Sequence, residues 1–456
     1  MSEQSKNHPL FPTLEAHFHS PATREEFFTN LSELVAFNSV HSTPSLADDL
    51  DGACDWTAAK LSELGFDVET HRTVDQSQVI TARRHFSEKL PTVLLYAHYD
   101  VVPVNNPEDW QSDPFTLTER NGRWYARGAA DCKGNLAMHL GVLAALEKFE
   151  FFENPRANIT VIVEGSEEMG GEGLHHFLAE NPEIFRADRI MIADSGNAAL
   201  GVPTLTTSLR GGAQVVVGVD TLKTPVHSGA LGGPAPDAVT ALIKLLDTLH
   251  NERGETTIDG VACFENWEGR AYDATQFAAD AGVLEGVSLP GKPEDVASAL
   301  WARPAISITG FTSTPVDKAI NAVPATAAAN LNLRVPAGLS TAETVAALET
   351  HLKNHVPWNA RLRIEVSDVN EPFAGGIDTL MADCLSAAYD GQATQLIGSG
   401  GSIPLCTELQ ELFPDAQLAL YGVEEPTCAI HSVDESVDPE EIARIALAEA
   451  LFLFSI

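Results

Sequence analysis

Residues 92–100 read TVLLYAHYD, a short apolar run that ends in a polar segment. An uninterrupted apolar run of this length is typical of a strand buried on both faces, as in a parallel sheet. Two later runs, ITVIV at 159–163 and RIMIA at 189–193, have the same character and are followed by acidic residues. Because ligands bind beyond the carboxyl ends of strands in open α/β sheets, we expect these three strand ends to converge on one crevice.

Helical patterns separate these runs. Apolar residues recur with helical spacing over 24–37, 50–64 and 136–149, and Gly65 is a C-cap candidate for the second helix. The alternation of strands and helices predicts a largely parallel sheet covered by helices. A last apolar run at 442–456 predicts a packed amphipathic helix.

The pattern changes near Leu209. From there the predicted order is strand, helix, strand, strand, helix, strand, which is typical of a ferredoxin-like domain. A looped stretch rich in acidic residues runs to about residue 300. A chain of 456 residues is too long for one ordinary core. We therefore expect a catalytic domain formed by residues 1–208 and 370–456, with a second domain inserted at 209–369. The predicted elements of the insert are 213–219, 237–252, 305–311, 327–334, 341–355 and 361–366.

Composition excludes several classes of function. The 64 acidic and 28 basic residues give a net charge of −36, which repels nucleic acid and anionic lipid. We therefore predict neither as a partner. No secretory signal and no apolar stretch long enough to span a membrane is apparent. The six cysteines are scattered without CxxC spacing, which favours reduced thiols and a cytoplasmic location.

Several side chains near the strand ends suit a metal site. In extended backbone His98 and Asp100 face the same side, so His98 can bind a metal while Asp100 orients its ring. Asp131, in GAADCKG at 128–134, can bridge two metals or can simply cap the helix that follows.

Adjacent carboxylates give a stronger signal. Glu167 and Glu168 repel each other unless a cation or a proton lies between them. One can be a ligand while the other remains a free base, and the sequence alone does not order them. Asp194 ends the third apolar run, and His431 lies in CAIHS at 428–432. Two imidazoles with three carboxylates suit Zn²⁺, with Mn²⁺ or Co²⁺ as substitutes.

Taken together, these segments resemble the M20 family of metallopeptidases, in the same order over roughly residues 25–450. The resemblance implies a zinc-peptidase-like catalytic domain with a mixed, largely parallel sheet and an inserted ferredoxin-like domain for lid and dimer functions. It also implies two Zn²⁺ per subunit and a cis peptide at Asp131–Cys132. The implied roles are: His98 and Asp194 on one zinc, Glu168 and His431 on the other, Asp131 as the bridge, Glu167 as general base, and Asp100 as support for His98.

Motifs in the insert narrow the resemblance to the branch of cytosolic non-specific dipeptidases and carnosinases. They include VHSG at 226–229, NAVP at 321–324 and GGSIP at 400–404. The resemblance implies a homodimer in which His227 reaches the partner's active site and stabilises the oxyanion. It implies that Arg334 binds the substrate carboxylate, aided by Asn321, Gly401 and Ser402. Asn321 stands where the animal enzymes carry Thr, so details of the pocket are open.

Simpler interpretations remain for these residues. His227 can cap its glycine-rich turn, Arg334 can be a strand-end surface charge, and Gly400–Gly401 can be a tight loop. The expected function is metal-dependent hydrolysis of dipeptides or short peptides with a free C-terminal carboxylate. The alternatives are an M20 deacylase of N-acyl amino acids and a catalytically inactive binding protein. A small panel of dipeptides and N-acyl amino acids separates the dipeptidase from the deacylase.

Overall fold

The computed structural model describes residues 8–401 and 403–456, so Ser402 lies outside the described residues. The chain divides into two compact units. The first unit contains Met1–Thr207, Gly375–Ile397 and Glu408–Ile456, and the second contains Ser208–Ala374 and Gly398–Thr407.

A large mixed sheet forms the centre of the first unit, which confirms the predicted fold class. Along the sheet the strand order is β1-β2-β6-β3-β7-β17-β8. Strands β6, β3, β7 and β17 are parallel neighbours, whereas β1, β2 and β8 run antiparallel to theirs. The strands are β1 (Asp67–Arg72), β2 (Gln78–Arg84), β3 (Thr92–His98), β6 (Asn158–Glu164), β7 (Arg189–Ala193), β8 (Thr204–Leu209) and β17 (Gln417–Tyr421).

The three apolar runs are the central strands β3, β6 and β7, and they are buried almost throughout. Their register aligns the strand ends, since His98 pairs with Glu164 across β3 and β6. Ala193 likewise pairs with Tyr421 across β7 and β17. The residues that follow these parallel strands therefore emerge at one edge of the sheet.

Helices cover this sheet where the sequence predicts them. Gly65, at φ +77°, terminates the third helix, and the amide of Phe66 returns to the carbonyl of Leu61. The last helix is buried on nearly all sides, so it is more deeply packed than an amphipathic surface helix. The helices of the first unit are α1 (Phe11–Phe18), α2 (Pro21–Val35), α3 (Ala47–Glu63), α4 (Lys133–Lys148), α5 (Glu172–Glu180), α11 (Thr379–Ala388) and α13 (Pro439–Ser455), and α12 (Pro404–Leu412) begins in the second unit.

Short strands complete the described part of the chain. They are β4 (Thr118–Arg120), β5 (Arg123–Tyr125), β10 (Val226–His227), β12 (Ala322–Val323), β15 (Phe373–Ala374), β16 (Gln395–Ser399) and β18 (Ser436–Val437).

The second unit has the ferredoxin-like topology that the sequence predicts. Its antiparallel sheet has the order β11-β13-β9-β14, and helices α7 and α10 connect the strands in the expected places. Apolar side chains of β9, β13, α7 and α10 form its core. The elements are β9 (Gly211–Asp220), α6 (Ser228–Leu231), α7 (Ala238–Asp247), α8 (Ala274–Asp280), α9 (Val296–Trp301), β11 (Ala305–Thr312), β13 (Thr326–Val335), α10 (Thr341–His355) and β14 (Arg361–Asn370).

Three details of the insert differ from the sequence prediction. Helix α7 ends at Asp247 instead of Glu252, and His250 forms an isolated bridge with Thr256 in the following turn. Strand β14 continues to Asn370. The acidic stretch before residue 300 also contains the short helices α8 and α9, whose few turns are below the length at which periodicity is informative.

Among the described residues, no helix has both the length and the apolar character needed to cross a membrane. All six cysteines are buried, and they form no disulfides with one another.

Candidate active site

His98 is the last residue of β3, and its side chain is fully buried. Its Nε2 lies 3.2 Å from Oδ1 of Asp131 and 3.2 Å from Oδ1 of Asp194. On the other side of the ring, Nδ1 lies 3.3 Å from Oδ1 of Asp100. Asp100 is thus placed to hold the ring so that Nε2 faces the two other carboxylates.

Asp131 lies between the two histidines. Its Oδ1 contacts His98 and its Oδ2 lies 3.1 Å from Nε2 of His431. The peptide bond Asp131–Cys132 is cis, as the family resemblance implies. Helix α4 begins at Lys133 without a side-chain cap, so the alternative of Asp131 as a helix cap is not what the structure contains. Although burial raises its pKa, hydrogen bonds with His431 and His98 hold the pKa of Asp131 below its usual range.

Glu167 and Glu168 lie in a 3₁₀ turn, Glu167–Met169, just after β6. The carboxylate of Asp100 accepts the backbone N–H groups of both glutamates, each at 3.1 Å. One buried carboxylate therefore fixes the turn as well as the ring of His98. Oε2 of Glu168 lies 3.0 Å from Nε2 of His431, while no side-chain hydrogen bond joins Glu167 to any described residue.

The pKa values of this pair are raised by burial. Burial, followed by the charge of Asp194, raises the pKa of Glu167 far above its usual range. Burial raises the pKa of Glu168 to about 7, although His431 opposes the shift. Hydrogen bonds with Asp131 and Glu168 raise the pKa of His431 to about 10. A ring surrounded by carboxylates retains a proton, which a bound cation would replace.

The structure adds Glu424 to this cluster, which the sequence analysis missed. Glu424 follows β17, just as Glu167–Glu168 follow β6 and Asp194 follows β7. Its carboxylate can join those of Asp131 and Asp194 around one ion. The run QLALYGVEE at 417–425 carries the same signal as the other strand ends, so the strand-end rule would have found it. Burial, then the charges of Asp131 and Asp194, raises the pKa of Glu424 far above its usual range.

Glu435 is a second residue that the sequence analysis missed. Its buried carboxylate accepts backbone N–H groups of Gly128, Ala130 and Asp131 at 2.9–3.2 Å. It also pairs with buried Arg127 at 2.6 Å. Glu435 therefore holds the loop that presents Asp131. No local pattern reveals this role, because the loop and Glu435 are some 305 residues apart in sequence.

The donor set of the cluster fits divalent cations. Ligand atoms of His98, Asp131 and Glu168 lie within 4.8 Å of one another, as do those of Asp131, Asp194 and Glu424. The atom Oε1 of Glu168 is buried without a hydrogen-bond partner. An orphaned carboxylate oxygen among like charges is costly unless a cation compensates it. The five predicted ligands, His98, Asp131, Glu168, Asp194 and His431, are connected by these contacts.

A second group of potential metal ligands contains no buried oxygen of this kind, left without a hydrogen-bond partner. In the second unit His355 Nε2 lies 2.7 Å from Asp259 Oδ2, and His351 Nδ1 accepts the backbone N–H of Asp259. The other ring nitrogen of His351 bonds to Thr248 Oγ1 at 3.0 Å. The two rings stack at 4.2 Å. Asp259 and His355 are exposed and His351 is buried, and the polar atoms of the three satisfy one another and Thr248 without an ion.

The remaining predicted residues lie in the second unit. His227 is exposed, and its Nδ1 accepts the N–H groups of Gly229 and Ala230, so it caps its turn as in the simpler interpretation. Asn321 is also exposed, and its backbone carbonyl accepts the N–H of Ser228, the residue after His227. Gly401 is exposed, and its N–H donates to Ser399 Oγ at 3.2 Å.

Arg334 lies on β13 and is partly buried. Its Nε donates to Oδ1 of Asn332 at 3.0 Å, and none of the described carboxylates pairs with it.

Known proteins resemble the chain over most of its length. The family model described as "Peptidase family M20/M25/M40" matches residues 94–453 of this chain. A cysteinylglycine-S-conjugate dipeptidase of Corynebacterium striatum is 49% identical over 447 residues, covering 96% of this chain and 97% of that protein. The Cys-Gly metallodipeptidase dug1 of Schizosaccharomyces pombe is 26% identical, covering 91% and 92%. The crystal structure of human carnosine dipeptidase 1 superposes with a TM-score of 0.77 at 23% identity, covering 98% of each chain.

Proposed function

Because this chain belongs to peptidase family M20/M25/M40 and is a metallopeptidase of the dipeptidase type, we propose that it hydrolyses dipeptides with a free C-terminal carboxylate. The observation that carries the proposal is the cluster at the edge of the central sheet. There two imidazoles and three carboxylates face one another, and Glu167 lies beside them with no side-chain hydrogen bond to any described residue.

The cluster is proposed to hold two divalent cations, with zinc as the first choice from its ligand types. His98 and Asp194 would hold one ion, Glu168 and His431 the other, and Asp131 would bridge them. The contacts of Asp131 with both histidines support its role as the bridge. When bound, the ions would polarise the scissile carbonyl and acidify water.

Glu167 is proposed as the general base. It would take a proton from the attacking water and deliver it to the leaving amine. Burial and the charge of Asp194 raise its pKa, which favours the protonated form that delivers a proton to the leaving amine. Asp100 supports this chemistry from behind, because it fixes the backbone of the turn that carries Glu167.

The second unit is proposed to recognise the substrate. The guanidinium of Arg334 would pair with the substrate carboxylate, aided by Asn321, Gly401 and Ser402. In a homodimer, His227 would reach the partner's active site and donate a hydrogen bond from Nε2 to the oxyanion. Its Nδ1 already accepts two backbone N–H groups, which leaves the proton on Nε2.

Among dipeptides, we propose Cys-Gly and its S-substituted forms as the preferred substrates. The support is the name of the Corynebacterium striatum relative, together with its 49% identity over nearly the whole chain. An N-acyl amino acid would place the same amide and carboxylate in the site, so a deacylase is the second candidate function.

A substrate panel tests the proposal. The protein, loaded in turn with zinc and with manganese, is incubated with Cys-Gly, S-benzyl-Cys-Gly, β-Ala-His and N-acetyl amino acids, and the released amines are quantified. We expect the two cysteinyl dipeptides to have the highest kcat/KM. Faster release from N-acetyl amino acids would establish the deacylase instead, and no hydrolysis of any substrate would refute the enzyme assignment.

A further inference from the structure

Arg210 is a buried cation that no described acid neutralises. It follows β8 and precedes β9, and only 9% of its surface is exposed. No carboxylate among the described residues pairs with its guanidinium, and its Nε is buried without a hydrogen-bond partner. A buried charge left uncompensated costs several kcal/mol, so its retention requires a reason.

The acidic side chains that line the same cavity already form ion pairs with other arginines. Glu255 and Asp295 line the same cavity as Arg210, but Arg303 pairs with both, at 3.3 Å and 3.4 Å. Glu255 also binds Arg253 at 3.1 Å. These acids are therefore paired with other arginines, and no described acid is left to pair with Arg210.

The neighbouring cation is Arg334. Gly212 pairs with Arg334 across β9 and β13, and a Cβ at Gly212 would lie 3.4 Å from Cδ of Arg334. Residues 210 and 212 face the same side of an extended chain, so the two guanidinium groups share a face. Burial, and then the charge of Arg334, lowers the pKa of Arg210 to about 10.

The loop that contains Gly400 borders the side chain of Arg210. A Cβ at Gly400 would lie 2.9 Å from Nη2 of Arg210, so the side chain lies directly against the glycine-rich loop. The N–H of Arg210 also donates to the carbonyl of Ser399 at 3.2 Å. Two cations that repel each other, one of them against Gly400, form a site suited to an anion.

We propose that Arg210 is a second substrate-binding guanidinium, which with Arg334 encloses the C-terminal carboxylate of the dipeptide. The inference rests on the proposed function and deepens it. A bound carboxylate would neutralise the charge of Arg210. Arg210 therefore favours substrates that carry a carboxylate. The product amino acid presents the same carboxylate and binds the same pair.

The first test separates binding from turnover. Arg210→Met and Arg210→Lys are compared with the wild type on S-benzyl-Cys-Gly and on its C-terminal amide. We expect Arg210→Met to raise KM for the free acid at least tenfold, with kcat changed less than threefold and KM for the amide unchanged. Arg210→Lys should recover part of the loss. Equal effects on acid and amide, or no effect on either, would overturn the assignment.

The second test does not depend on hydrolysis. Thermal unfolding is measured with glycine and, as a neutral control, with glycinamide. We expect glycine to raise Tm of the wild type and not of Arg210→Met, because ligand binding to the native state stabilises it. Without ligand, Arg210→Met should unfold at or above the wild-type Tm, since it removes an uncompensated charge.

Arg363→Met is the matched control, because Arg363 is an exposed arginine of the same unit that pairs with Asp220. It should retain the response to glycine. A lower Tm of Arg210→Met without ligand, or an undiminished response to glycine, would contradict the proposal. If the wild type hydrolyses no dipeptide yet glycine stabilises it through Arg210, the proposed function fails while the carboxylate site stands.

Discussion

At the scale of single residues, the site contains carboxylates that contact the histidines and one glutamate that is proposed to transfer a proton. Asp131 contacts both histidines, and the carboxylate of Asp100 contacts His98 and accepts the backbone N–H groups of Glu167 and Glu168. Asp100 fixes the backbone of Glu167, and none of the described residues forms a side-chain hydrogen bond with its carboxyl group. This division motivates a substitution at Glu167.

Glu167→Ala is expected to keep its bound metal and to lose most turnover. The carboxylate is proposed to shuttle the proton, a contribution worth about 10²- to 10⁴-fold in rate. Metal content by mass spectrometry and kcat are measured on the same sample. Turnover near that of the wild type would refute the base assignment, whereas loss of metal would instead make Glu167 a ligand.

Arg334→Ala is expected to raise KM for dipeptides far more than KM for substrates without a carboxylate. A bidentate pair with a carboxylate is lost only in the first case. The steady-state constants for a dipeptide and for its amide provide the comparison. If both KM values rise alike, Arg334 does not bind the carboxylate.

At the scale of elements, the loop 128–131 depends on a partner that is remote in sequence. Glu435 accepts three of its N–H groups and neutralises Arg127. Glu435→Ala leaves these donors and a buried cation unpaired, so we expect it to lower the unfolding free energy by about 3–5 kcal/mol. Urea and thermal unfolding measure the loss.

Two further variants make the loop experiment specific. Glu108→Ala, at an exposed glutamate of the same unit, should leave stability unchanged. Glu435→Gln keeps an acceptor oxygen and should lie between the wild type and Glu435→Ala. A Glu435→Ala protein as stable as the Glu108→Ala control would mean that the loop is held by other contacts.

At the scale of the whole molecule, the proposed homodimer places His227 in the partner's active site. Chains carrying Glu167→Ala and His227→Ala are co-expressed with different tags, and the mixed dimer is purified. Each single variant should be nearly inactive. In the mixed dimer one of the two sites has both groups, so about half of the wild-type activity should return. A mixed dimer as inactive as its parents would place His227 in its own subunit's site.

Much of the fold follows from local patterns. Uninterrupted apolar runs identify β3, β6 and β7, and helical periodicity identifies α3 and α10 within a few residues. The sequence analysis missed the short helix α8, because one or two turns of periodic sequence carry little information. It also ended β14 several residues too early.

The sequence by itself determined that acidic residues and a histidine follow buried parallel strands, and this rule brings His98, Glu168 and Asp194 to one edge of a sheet. Only the tertiary structure decided that β17 adds Glu424 to that edge, that Glu435 holds the loop of Asp131, and that no described acid pairs with Arg210. The physical reason is that strand order and long-range pairing depend on which remote segments pack together. Charge compensation depends on distances in space, which local sequence does not encode.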